Sequence, residues 1–311
     1  MIINCYYEFS DSEWNTPRYF EELYSQIKNY YTDFEVNKLN SLYMPERRLS
    51  EPCAKYSHAH MIIQNAETKK YFIVTYWDKM ECISDYTGWD MENCVEIITA
   101  SGTHKDDYYY EPLEGHKFIP FSYLTSRIDS DDMIYKLRDT DNNNRVVPKK
   151  PMFKGYLYEF RKFLNQDGRF DVKHVSDGEY LPHIEYVKHL NHYAINMSLN
   201  GAGQICFRDM EILGLGTALF RPKLSVDFHN PLIPDYHYIS VDYDSIKGVK
   251  PIDKYYQLLS DLMLKKWNKV KDDRDYINEV AKYGKEWFDN NVPKEKHGEI
   301  LLNILNFDKL L

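Results

Sequence analysis

At 311 residues, 43% of them hydrophobic and 28% charged, the chain has a globular composition, which excludes a disordered protein. Its length suits two domains better than one. A formal net charge of −9 disfavours a general nucleic-acid binder, whose phosphate contacts need a basic surface, and leaves room for one nucleotide in a local basic pocket.

Cysteines stand at positions 5, 53, 82, 94 and 206; they form no Cys-x-x-Cys and are odd in number. That pattern argues against a disulfide framework and for a reducing compartment. The N-terminal Met-Ile-Ile-Asn-Cys-Tyr-Tyr has no basic stretch leading into a long apolar run. No window approaches the roughly 20 apolar residues of a membrane span. A cytoplasmic protein with no transmembrane segment is expected. The 28 tyrosines offer flat apolar faces with a hydroxyl, as sugar-binding surfaces do. The plainer explanation is a Tyr, Asn and Lys bias of the kind found in large DNA viruses and AT-rich microbes.

In chain order, residues 2–7 read as a strand and 18–31 as a helix with apolar residues at helical spacing. Runs 58–64 and 71–77 read as adjacent strands, and 94–100 and 117–121 as two more. Between the last two, the Asp- and Tyr-rich stretch 101–115 reads as a loop. Asp139 to Lys150, DTDNNNRVVPKK, is polar and ends in Pro and Lys, so it reads as a linker. The second half then alternates: strand 152–155, helix 158–164, strand 170–175, helix 181–190, strand 193–199, helix 204–213 and strands 217–220 and 238–242. Helices near 252–266, 273–289 and 294–305 close the chain. Such alternation predicts parallel sheets covered on both faces, with a ligand beyond the carboxyl ends of the strands.

Chemistry concentrates in Ser198 to Pro222, SLNGAGQICFRDMEILGLGTALFRP. Asn200-Gly201-Ala202-Gly203 is a Cβ-poor turn between a strand and a helix, where backbone N–H groups can approach an anion. Arg208 and Glu211, three apart, share one helix face. Arg208 can clamp a diphosphate with its planar fork, and Glu211 can accept hydrogen bonds from two ribose hydroxyls. A surface ion pair between the two explains the spacing as well. Gly214 and Gly216 end the helix.

This Arg, then Glu, then Gly-x-Gly and an apolar strand resembles the donor site of GT-B glycosyltransferases, in particular the exostosin-like and capsule-associated or protein O-glucosyltransferase families. Phe153-Lys154-Gly155 followed by Arg161 is similar to the opening of the same domain. Pro231 to Ile239 (PLIPDYHYI) and Ala281 to Phe288 (AKYGKEWF) are similar to later stretches of it, in the right order. The family's Arg-Gly is Lys154-Gly155 here, the chain is short for the family, and the first 150 residues carry no part of the likeness.

The resemblance implies an α/β fold of GT-B type, with two Rossmann-like domains facing across a cleft. It implies an acceptor-side domain over 1–149, a nucleotide-sugar domain over 150–290, and a helix over 291–311 packing back on the first domain. It further implies sugar transfer from a nucleotide diphosphate sugar, UDP by resemblance, to a hydroxyl of a glycan or glycoprotein acceptor, with neither metal nor cofactor. Donor binding falls to Gly155, Arg161, Asn200, Gly201, Gly203, Arg208 and Glu211. An inverting transfer needs a base near the acceptor hydroxyl. Asp78, just past the strand 71–77, is the first choice over Asp85, Asp90, His104, Asp106 and Asp107.

Two rival readings stand beside this one. A metal-dependent GT-A enzyme would use the Asp-x-Asp at Asp242 and Asp244; Asp139 and Asp141 have the same spacing, and His58 and His60 share a strand face without an evident third ligand. A non-catalytic carbohydrate-binding protein would instead pair Arg208 with Glu211.

Overall fold

The computed structural model describes residues 1–7, 15–40, 60–76, 91–99, 118–121, 125, 128–155, 159–174, 182–200, 205–225 and 229–311. It is a mixed α/β protein that divides into two compact units. Unit 1 comprises Met1–Ser126, Val226–Pro231 and Asn291–Leu311; unit 2 comprises Arg127–Ser225 and Leu232–Asn290. No helix among the described residues is long and apolar enough to cross a membrane.

Unit 1 is built on six strands, β1 (Ile2–Tyr7), β2 (Glu35–Asn40), β3 (His60–Asn65), β4 (Tyr71–Thr75), β5 (Cys94–Thr99) and β6 (Phe118–Pro120), in the order β2-β1-β3-β4-β5-β6. The sheet is mixed: β3 runs antiparallel to both β1 and β4, while β1–β2, β4–β5 and β5–β6 pair in parallel. The cause is local. Asn65 accepts from the backbone N–H groups of Glu67 and Thr68, and Lys69 turns left-handed at φ 64°, so the chain reverses within a few residues. A connection that short can join only antiparallel neighbours. β3 and β4 are buried along their length, which is why they read as near-continuous apolar runs.

Helix α1 (Thr16–Tyr30) begins with Pro17 in its first turn and buries Tyr19, Phe20, Leu23 and Ile27, one stripe at helical spacing. A late helix, Lys294–Ile304, packs against it with His297 and Leu301 buried. Beyond that helix, Phe307 packs on Tyr31 and Phe72, and the Leu310 carbonyl accepts from Asn65 and Thr68.

Unit 2 has β7 (Met152–Gly155) paired in parallel with β8 (Asp171–His174), and β9 (Ile195–Met197), β10 (Ala218–Pro222) and β11 (Ile239–Val241) in a parallel set ordered β11-β10-β9. β7 lies beside β9, so the strand order reverses between them. The helices, in chain order after α1, are α2 (Ile128–Leu137), α3 (Glu159–Gln166), α4 (His183–His192), α5 (Phe207–Gly214), α6 (Ile252–Val270) and α7 (Arg274–Asn291), with the late unit 1 helix as α8. Phe153, Ile195, Met197, Phe220, Met263 and Trp267 lie at the centre of its core.

The run Asp139–Lys150, expected as a linker, belongs to unit 2, and the division of the chain falls at 126/127. Its polar groups are used internally. Asn142 and Asn143 bond Asn278 of α7, Asp139 pairs with Lys285, and Arg274 donates to the carbonyls of Asn142 and Arg145.

Gly284 explains one of the family-like stretches. A Cβ there would lie 2.7 Å from the His237 carbonyl oxygen and 2.8 Å from Leu213, so α7 can approach the turn before β11 only with glycine at this position. Gly284→Ala is expected to lower stability by about 2 kcal/mol through overpacking, although alanine is the better helix former by about 1 kcal/mol. A urea midpoint that rises in the variant would show that the carbonyl yields instead.

Candidate functional site

The site is assembled where the strand order of unit 2 reverses, which in open α/β sheets is where ligands bind. β7 supplies Phe153, 2% exposed, as a flat floor. Two guanidinium groups approach this ring, Arg161 at 4.6 Å and Arg208 at 4.1 Å from its centroid. Such stacking favours arginine over lysine, because the planar ion lies on the ring face and keeps its edge donors. Arg161, on α3 and 5% exposed, donates to the Leu199 carbonyl at 2.5 Å.

Arg208 sits in the first turn of α5. Its Nε donates to the Tyr186 hydroxyl and its Nη2 to the Lys154 carbonyl at 2.9 Å. Burial pushes the Tyr186 phenol up, so this acceptor stays neutral and does not cancel the arginine's charge. Among the described residues no carboxylate lies within ion-pair distance of Arg208. A partly buried cation fixed by neutral groups, with donors to spare and at a helix N-terminus, is arranged to meet an anion.

Glu211, expected beside Arg208, is buried one turn further on, with Oε1 3.0 Å from His183 Nε2. Asp209 lies between the two in sequence and points into the core. Its Oδ2 accepts from the Cys206 backbone N–H at 2.7 Å, closing a capping box on α5, and is 2.7 Å from Arg221 of β10. Arg221 also donates from Nη2 to Asn200 Oδ1 at 2.9 Å. The Cys206 thiol, 3.5 Å from Ser198 Oγ, is pushed up to about 11 by burial and stays protonated.

The structure thus brings together Arg161, Asn200, Arg208 and Glu211, with Gly155 ending β7 beside them. Gly201, Gly203 and Asp78 lie outside the described residues, as do Asp85, Asp90, His104, Asp106, Asp107 and His58. Gly214 and Gly216 close α5, with Gly216 left-handed at φ 66° and Gly214 placed where a Cβ would meet Phe288 at 2.9 Å. Asp141 caps the turn 142–144, and Asp242 accepts from the Asp244 backbone N–H. Asp244 pairs with Lys247 and Lys223, which hold its carboxyl down at about 2. Pro231–Ile239 forms the turn before β11: Asp235 is left-handed at φ 59° and is held by Lys266 and the Ser240 N–H.

Sequence reasoning missed Tyr186, His183 and Arg221. Arg221 left a signal, a charged residue closing the apolar run Ala-Leu-Phe inside a buried strand. Tyr186 and His183 left none, since aromatic residues on a helix flank read as ordinary packing.

No protein-family model matches the chain, and no curated protein matches it. Among solved structures, a crystal structure of TarM is similar at a TM-score of 0.40 and 8% identity, over 80% of this chain. The matched region spans 64% of the TarM chain.

Proposed function

We propose that this chain is a glycosyltransferase that binds a nucleotide diphosphate sugar, a UDP-sugar by resemblance, at the reversal between β7 and β9. The observation that carries the reading is Arg208: a cation held by a tyrosine and a carbonyl, with no carboxylate partner among the described residues, stacked on Phe153 beside Arg161. The donor diphosphate supplies the missing negative charge. Arg208 and Arg161 neutralise it as the sugar leaves, a role that metal ions fill elsewhere, so transfer is metal-independent. Glu211, already oriented by His183, receives the ribose hydroxyls. The acceptor is a hydroxyl of a glycan or glycoprotein, and Asp78, three residues beyond β4, is the base that takes its proton.

The test is a thermal-shift titration with UDP, GDP and ADP, with and without Mn²⁺, on wild type and Arg208→Ala. At about 100 times its dissociation constant, one nucleotide should stabilise the wild type by about 2.7 kcal/mol without metal. Arg208→Ala should abolish that gain. No shift with any nucleotide would refute the donor site. A shift that appears only with Mn²⁺ would favour the metal-dependent alternative.

A further inference from the structure

We propose that the buried Arg221–Asp209 pair is a positioning device that holds Asn200, just after β9, and Cys206, at the start of α5, and thereby sets affinity for the donor diphosphate without touching it. The inference rests on the donor-site reading above.

The pair is placed oddly for a stabilising contact. Arg221 and Asp209 are 1% and 0% exposed, yet Asp209 Oδ1 has no hydrogen-bond partner. A buried ion pair with an unsatisfied oxygen gives little net stability, and well-packed apolar residues often do as well. Its geometry supplies the better reason. From Arg221, one guanidinium arm reaches Asp209, which holds the Cys206 N–H at the start of α5. The other arm reaches Asn200, three residues beyond β9. One rigid planar fork therefore ties Asn200 to the start of α5, and α5 carries Arg208 two residues after Cys206. Arg161 adds a third fixed point at the Leu199 carbonyl. Lysine cannot reproduce this, because a single ammonium has no second arm at a fixed angle.

The variants are Asn200→Ala, Arg221→Lys and the double. Asn200 is exposed, so its removal cuts the link without burying an unpaired charge. UDP, GDP and ADP are titrated calorimetrically into wild type and each variant, with ligand-free melting temperatures recorded alongside. With the nucleotide that binds wild type, Asn200→Ala and Arg221→Lys should each weaken binding about tenfold or more. The double should be no weaker than the worse single, because both act through one link. Asn200→Ala should keep the wild-type melting temperature, which separates positioning from stability even if Arg221→Lys folds poorly. Unchanged affinity in Asn200→Ala, or penalties that multiply in the double, would overturn this inference and leave the donor site standing. No binding of any of the three by wild type would overturn both.

Discussion

Arg145→Ala is expected to destabilise unit 2 by about 3–4 kcal/mol, read as a fall in its urea midpoint. Arg145 is 5% exposed and uses every donor it has. Nε donates to the Asn191 carbonyl, Nη1 to Gly216 O and Asn142 Oδ1, and Nη2 to Leu215 O and Asn191 Oδ1, at 2.7 to 3.1 Å. The two carbonyls at the end of α5 have no helical partner ahead of them, so the guanidinium caps that helix from a distant part of the chain. Burial pulls its pKa down to about 10, still charged at neutral pH. Alanine would leave several buried acceptors unmet at once. Arg145→Lys should fall nearly as far, since an ammonium cannot span the same set. A loss under about 1 kcal/mol would show that water replaces the fork.

Acid should weaken unit 1 through His297. The imidazole is 1% exposed and enclosed by Tyr19, Tyr76 and Phe121. Nδ1 donates to the Asn291 carbonyl at 3.2 Å, and Nε2 accepts from the Tyr76 hydroxyl at 2.5 Å, an arrangement that suits the neutral ring. Burial pushes its pKa from 6.5 down to about 3. Between those values the unfolded chain holds a proton that the native protein does not, so stability rises with pH across that window. The contribution is complete above pH 6.5 and is lost as pH falls towards 3. Compared with His297→Gln, wild type should lose about 2 kcal/mol more between pH 6.5 and 5. Parallel stability curves for the two proteins would contradict a neutral buried imidazole.

Residues whose structure follows from local pattern were readable in advance. β7 falls on residues 152–155 as expected, because a short apolar strand ending in glycine is punctuated at both ends. α6 and α7 follow from long amphipathic spacing. β2 escaped notice because EVNKLN is a polar edge strand with only Val36 buried. α2 escaped because IDSDDMIYKL carries an acidic first half, and its helix is supported by packing against α4 and α5. In the site, Arg208 and Arg161 were visible as charges at family-like spacing. Their neutral partners were not, since a carbonyl at Lys154 and a phenol on α4 become neighbours only through the sheet order.

The segment Asn291–Leu311 belongs to unit 1, although all of unit 2 is encoded before it. Tyr19 bonds the Val292 carbonyl across 273 positions, and Asn65 bonds Leu310 across 245. During synthesis, the first unit to emerge is therefore the last to be finished. Until then α1 has the sheet on one side and lacks the late helix that packs against it. Contacts this distant in sequence slow folding and lengthen the exposure of apolar surface. A chain stopped after residue 290 would hold all of unit 2 and lack the bonds that tie Tyr19 to Val292 and Asn65 to Leu310 in unit 1.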